Sequence, residues 1–239
     1  MNNDIELIKK YLPEDKWEAS IHKLKEGYPV QYIIGNVDFY NCLINVNENV
    51  LIPRFETEYL VQDLISLMKE TKILQPDILD FGTGSGAIAI ALKKNYPCFV
   101  SGIDISKEAI TLARENAHNN HTNLVFLESS IEEFDSNIQY DVIVSNPPYV
   151  LKGEYVDEKT KYEPQNAIFV PNNDGLYFYK IILEKSLKLL KKPGIIAFEI
   201  GEAQKDSLYK LSKEYYPNAK IIQKKDLNNL DRYLYIINE

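Results

Sequence analysis

From residue 77 onward, short β-rich runs alternate with helical stretches, the pattern of a parallel sheet flanked by helices. Residues 77–81 read as a strand, followed by a glycine-rich turn and a helix over 87–94. A second strand spans 99–104, and Ser106 then caps a helix with Glu108 in its first turn and Ala109, Leu112 and Ala113 on its apolar face. Residues 124–127 read as a third strand and 140–145 as a continuous buried fourth. After a loop rich in proline and asparagine, a helix from about Gly175 ends at Lys191-Lys192-Pro193-Gly194, with cations on the negative end of its dipole and a breaker beyond. A fifth strand follows over 195–200. The tail holds two strand-like runs, 219–223 and 233–237, whose connection is too short for a crossover helix, so they are expected to pair antiparallel.

The first part of the chain reads differently. A helical stretch runs to about residue 26, short strands are expected at 32–34, 42–46 and 50–52, and a helix starts near Thr57. This divides the chain into a helical segment (1–28), a β-hairpin connector (29–56) and a catalytic domain (57–239) of α/β class. A chain of 239 residues holds one sizeable α/β domain plus a small appendage, so a single active site is expected.

Composition narrows the functional classes. Hydrophobic residues at 45% and charged residues at 26% fit a packed globular core. The N-terminus has no basic region followed by an apolar stretch, and no run approaches a membrane span, so no membrane association is expected and the cytoplasm is the default address. Cys42 and Cys98 belong to no Cys/His cluster; both are assigned to packing and no metal is expected. A net charge of −8 has the wrong sign for gripping bare duplex through many phosphates, which argues against direct nucleic-acid binding.

Gly82-Thr83-Gly84-Ser85-Gly86 lies between a strand and a helix, where bare backbone lets a ligand lie against the turn and the first helical N–H groups. Asp104 ends the next strand, twenty residues past Gly84, where a carboxylate accepts both hydroxyl protons of a ribose. Together they predict an adenosine at the carboxyl edge of the sheet. A nicotinamide dinucleotide remains open at this point, since Gly82, Gly84 and Ala87 also satisfy the dinucleotide fingerprint.

Asn146-Pro147-Pro148-Tyr149 follows the fourth strand, at the same sheet edge. An amide nitrogen is a poor nucleophile because its lone pair is delocalised into the carbonyl, so it must be held and aimed. The Asn146 side-chain oxygen and the Pro147 carbonyl can accept the two N–H bonds of an NH₂ group. Pro148 stiffens the turn, and Tyr149 offers a flat wall for the substrate and an electron-rich face for a cation. Hydride chemistry has no use for this tetrapeptide. Methyl transfer to a planar nitrogen does.

With these residues in view, the chain resembles the protein-glutamine methyltransferases of the PrmC/HemK type, which modify the Gly-Gly-Gln glutamine of peptide-chain release factors. The resemblance covers nearly everything from Pro29 to the C-terminus. It is carried by Pro29-Val30-Gln31-Tyr32-Ile33-Ile34-Gly35, Val50-Leu51-Ile52-Pro53-Arg54-Phe55-Glu56-Thr57-Glu58, Gly82 to Gly86, Asn146 to Tyr149, Tyr162-Glu163-Pro164 and Asp174-Gly175-Leu176. It implies a class I, Rossmann-like methyltransferase fold with a seven-stranded sheet and an antiparallel last strand. It also implies S-adenosyl-L-methionine as cofactor and a release factor as protein substrate. Cofactor contacts then map to Gly82 through Gly86, Asp104, Ser130, Ile131 and Asn146, and substrate contacts to Asn146 through Tyr149. Arg54 and Glu56 are candidates for the pocket wall, although acids at a helix start are equally favoured by its dipole. The chain departs from the family pattern in three places. Phe55 stands where a proline is common, Ser129-Ser130-Ile131 lacks the acid and aromatic often found beside the adenine, and fewer helical residues precede Pro29.

Three alternatives stand beside this reading. An adenine exocyclic-amine methyltransferase on DNA or RNA could use the same tetrapeptide on a flipped base, but the acidic balance and the lack of a sizeable target-recognition domain count against it. The acceptor could instead be a ribosomal-protein glutamine. A catalytically inactive cofactor-binding module is the third, opposed by the intact tetrapeptide.

Overall fold

Alternation along the central strands sets the architecture. The computed structural model describes residues 1–239. The strands β3 (Asp77–Phe81), β4 (Phe99–Asp104), β5 (Val125–Glu128), β6 (Tyr140–Ser145) and β7 (Leu190–Glu199) run parallel. They join β8 (Lys220–Lys225) and β9 (Asp231–Asn238) in one seven-stranded sheet of order β5-β4-β3-β6-β7-β9-β8. β9 pairs antiparallel with β8, as the short tail connection predicts, and with β7, as the resemblance implies.

Successive side chains of a strand point to opposite faces. Ile78, Val142, Val144, Ile195 and Ala197 therefore pack with α4 (Phe55–Glu70), α5 (Ala87–Asn95) and α6 (Lys107–Asn119). Leu79, Ile143, Ile196 and Phe198 pack on the other face with α7 (Tyr177–Leu189) and α8 (Lys205–Tyr215). Both faces are covered, as a parallel sheet requires. The seven-stranded α/β fold with its antiparallel last strand is the one expected.

Ser106 caps α6 as predicted, its hydroxyl accepting from the Ala109 N–H at 3.1 Å. Ahead of the sheet lie α1 (Asn2–Tyr11), α2 (Trp17–Lys25) and α3 (Val30–Ile34), which share a small cluster of Ile8, Leu24 and Val30. A hairpin of β1 (Asn36–Phe39) and β2 (Cys42–Asn45) follows. Its outer edge is tied to α6 by side chains. The buried Asn116 carboxamide accepts the Asn45 N–H (2.8 Å) and donates to the carbonyls of Asn45 (3.0 Å) and Ser85 (2.9 Å), and Asn120 donates to Leu43 (2.8 Å). The Asn116 carboxamide thus bridges the hairpin to the glycine-rich turn.

Four local expectations are corrected. Residues 32–34 lie in α3 instead of a strand, because Pro29 sets the helical entry and Gly35, at φ 83°, supplies the left-handed stop. Residues 50–52 pair with no strand; side chains take their backbone groups, Tyr32 donating to the Val50 carbonyl and Glu163 accepting from the Ile52 N–H. The helix expected to reach Lys191-Lys192 stops at Leu189 and β7 begins at once, with a register shift against β6 between Tyr140 and Val142. Lys191 does not cap a helix dipole but sits between Asp77 (2.8 Å) and Asp141 (2.9 Å). Finally, α8 occupies part of 201–218, to which the periodicity reading assigns no element. No helix is long and apolar enough to cross a membrane.

Candidate active site

A cavity of about 710 Å³ opens at the carboxyl edge of β3, β4 and β6, large enough for a nucleoside-sized ligand and a substrate side chain together. One wall is the turn after β3. Gly82 and Gly84 hold φ of +71° and +55°, and a Cβ at either position meets nothing within 4 Å. Both line the cavity, so their bare backbone is a cradle that a side chain would occupy. Thr83, Ser85 and Gly86 belong to the same turn but lie behind it. Thr83 donates its hydroxyl to Asp80 (2.7 Å), and Ser85 is buried with its carbonyl bound by Asn116.

Asp104 stands at the end of β4 in the same wall. Its two oxygens accept the N–H groups of Gly84 (2.8 Å) and Ser106 (2.9 Å), which fixes the carboxylate and leaves each oxygen a free lone pair. Burial raises its pKa above the ordinary carboxylate value, opposed by those backbone donors. Asp80, wholly buried behind the turn, is pushed up to about 7 by desolvation. Ser130 and Ile131 line the cavity as expected. Beside them are Glu132 and Phe178, an acid and an aromatic that the motif reading does not find, because one sits a residue past the expected position and the other comes from α7.

Beside the turn, Ser145 ends β6 with its hydroxyl donating to the Phe81 carbonyl (2.7 Å), which locks the adjacent strand ends. Asn146 and Pro148 then line the cavity, while Pro147 is buried. The Asn146 Nδ2 donates to Thr57 Oγ1 at 3.4 Å. Tyr149 is anchored rather than free in the cavity wall. Its carbonyl accepts from Gln204 Nε2 (3.1 Å), and its hydroxyl accepts from Arg232 Nη1 (3.3 Å), itself bound to Asp226 (3.2 Å). Desolvation pushes its hydroxyl pKa up to about 12, so it stays protonated at neutral pH.

Arg54 and Glu56 are placed outside the cavity wall. Arg54 makes a 2.6 Å ion pair with the buried Glu163 and donates to the Ile52 carbonyl, while Glu163 also takes the Ile52 N–H (3.0 Å). The pair clamps the Tyr162-Glu163-Pro164 loop against the segment before α4, and Pro164 lines the cavity. The Glu56 carbonyl accepts from the Tyr233 hydroxyl (2.7 Å). Replacing Arg54 by Met is expected to destabilise the fold by about 1–3 kcal/mol, below the full cost of orphaning a buried charge because Arg54 is partly exposed. Thermal unfolding of the two proteins checks this, and an unchanged midpoint would mean the pair contributes nothing.

Comparison with known proteins follows the same lines. A family model described as a methyltransferase domain matches residues 75–235. A release factor glutamine methyltransferase from Flavobacterium psychrophilum is 41% identical over 226 residues, covering 92% of this chain and 79% of that protein. Its counterpart from Streptococcus pneumoniae is 40% identical, covering 91% and 76%. Among solved structures, a T. thermophilus 16S rRNA N2 G1207 methyltransferase in complex with AdoMet and guanosine superposes with TM-score 0.64 at 14% identity, covering 85% of this chain and 50% of that one. A ribosomal protein L11 methylase from Lactobacillus delbrueckii subsp. bulgaricus gives TM-score 0.56 at 20% identity, covering 77% and 79%. At such identities these two structures speak for the fold alone.

Proposed function

The chain belongs to the release factor glutamine methyltransferase family, and from that premise we propose that it transfers a methyl group from S-adenosylmethionine to the side-chain amide nitrogen of a release-factor glutamine, the one in the Gly-Gly-Gln sequence. The observation that carries this reading is the convergence on one cavity of three neighbouring strand ends: the bare Gly82/Gly84 turn after β3, Asp104 at the end of β4, and Asn146 after β6.

S-adenosylmethionine, when bound, supplies a methyl group on a sulfonium whose sulfur leaves as a neutral thioether with the bonding pair. The residues of the chain do the rest. The Gly82–Gly84 backbone accommodates the cofactor's close approach, and Asp104 accepts its ribose hydroxyls. Ile131, Glu132 and Phe178 offer the adenine an apolar and polar-edged slot. The Asn146 oxygen and the Pro147 carbonyl accept the two N–H bonds of the glutamine NH₂, turning its lone pair toward the methyl carbon. As the C–N bond forms and the C–S bond breaks, the nitrogen becomes a strongly acidic cation, and both acceptors bind it more tightly than the neutral amide. That cation loses its proton to water afterwards, so no general base is required.

Asp104→Ala is expected to weaken S-adenosylmethionine binding by about 1.5–3 kcal/mol for each ribose hydrogen bond lost. Calorimetry reads this directly. An unchanged affinity would remove Asp104 from the cofactor site.

A further inference from the structure

A buried carboxylate near the tetrapeptide has no part in the chemistry above. Glu199 ends β7, and β6 and β7 pair in parallel with Ser145 opposite Phe198. Asn146 and Glu199 therefore follow one another at the ends of neighbouring strands. The first turn of α4 lies over both, and its Thr57 is buried between them. Thr57 Oγ1 donates to Glu199 Oε2 at 2.6 Å and receives Asn146 Nδ2 at 3.4 Å.

We infer that Thr57 and Glu199 are positioning residues that fix which end of the Asn146 carboxamide faces the acceptor. The inference deepens the proposed function and rests on it. A hydroxyl has one proton to give. The Glu199 carboxylate takes it, so the Thr57 oxygen can only accept, and the group it accepts from must be the Asn146 NH₂. The Asn146 oxygen is thereby turned the other way, into the cavity, where it receives no hydrogen bond from the protein. Without the relay the carboxamide has two orientations of similar shape. One presents an acceptor to the substrate NH₂, and the other presents a donor that repels it.

Burial sets the pH above which the end of the relay is a carboxylate. Glu199 is fully enclosed, and desolvation lifts its pKa to about 7 against the pull of Thr57, Arg232 and Arg54, with Glu56 adding to the rise. At about pH 8.5 it is an acceptor only. The Tyr179 hydroxyl binds the Glu199 carbonyl (2.8 Å), which holds the strand end and leaves the side chain to Thr57.

The test is a double-mutant cycle on the full chain at about pH 8.5, with a release factor as acceptor. Thr57→Val keeps the shape and removes the hydroxyl. It is expected to lower kcat about 10–100-fold while the Kd for S-adenosylmethionine moves less than about threefold, because only the acceptor nitrogen loses its alignment. Thr57→Ser restores the hydroxyl and is expected within about threefold of the parent. In an Asn146→Ala background, Thr57→Val is expected to cost nothing further, since no carboxamide remains to orient. If Thr57→Val does not fold, Glu199→Gln, whose NH₂ can donate to Thr57 and free the hydroxyl proton for the Asn146 oxygen, is expected to lower kcat in the same way. A parental kcat in Thr57→Val, or the same loss in the Asn146→Ala background, overturns the relay. Failure of the parent to methylate any release factor instead overturns the acceptor assignment. The Asn146 carboxamide protons, followed by NMR without acceptor, then decide the relay: slow exchange in the parent and fast exchange in Thr57→Val support it, and equal rates refute it.

Discussion

Asn146→Ala is expected to lower turnover about 10²–10³-fold, the size of effect seen when one preorganised polar contact to a charge-developing centre is removed. In the proposed reaction the oxygen lost is the acceptor whose bond strengthens as positive charge builds on the glutamine nitrogen, so the loss falls on kcat. The Kd for S-adenosylmethionine is expected to change by less than about tenfold, because most cofactor contacts are assigned to the Gly82–Gly84 turn and Asp104. Asn146→Asp keeps an acceptor of similar shape and is expected to lose less than alanine, its added charge beside the sulfonium notwithstanding. The ordering can be checked by single-turnover kinetics with saturating cofactor. A folded alanine variant with parental turnover would mean that the acceptor nitrogen is held elsewhere.

Gly84→Val carries the second large effect, and it acts on the cofactor. At φ +55° a branched residue costs about 1–2 kcal/mol in backbone strain, which lowers the thermal midpoint modestly. The Cβ of the new side chain meets no protein atom within 4 Å, because its position is open space in the cavity wall. It fills the volume assigned to the cofactor. Affinity for S-adenosylmethionine is therefore expected to fall by at least about 100-fold, equivalent to about 2.7 kcal/mol, with the fold intact by circular dichroism. Retained affinity in a folded variant would place the cofactor away from this turn.

What the sequence makes legible is what local chemistry determines. The apolar run before Asn146, the glycines after Phe81, the Ser106 cap and the acid at Asp104 each announce an element or its end through neighbours in the chain, and each lies where expected. The failures have a common physical cause. Val30-Gln31-Tyr32-Ile33-Ile34 is rich in strand-favouring residues, yet its Pro29 and Gly35 brackets and the packing of Val30 on Ile8 and Leu24 make it a helix. Residues 50–52 have strand composition but no neighbour to pair with. In α8, Leu208 and Ser212 are buried one turn apart within a mostly polar stretch, and that sparse stripe hides the helix.

The same distinction holds at the site. Arg54 is legible as part of the Val50 to Glu58 run, but its ion pair with Glu163 spans 109 residues and no local pattern encodes it. Thr57 and Glu199 are separated by 142 residues. One signal for Glu199 was available: a lone carboxylate inside the apolar run Ile195 to Ile200 is costly to bury and therefore needs a specific partner. Glu132 and Phe178 complete the cavity wall only because α7 folds back beside β5's loop, a tertiary fact.

The most direct test is to incubate the protein with labelled S-adenosylmethionine and, separately, a release factor, ribosomal proteins and adenine-containing nucleic acid, then locate the label by peptide mass spectrometry. Label on the side-chain amide of the release-factor glutamine is the predicted result; label in nucleic acid alone, with the release factor unmodified, would contradict it.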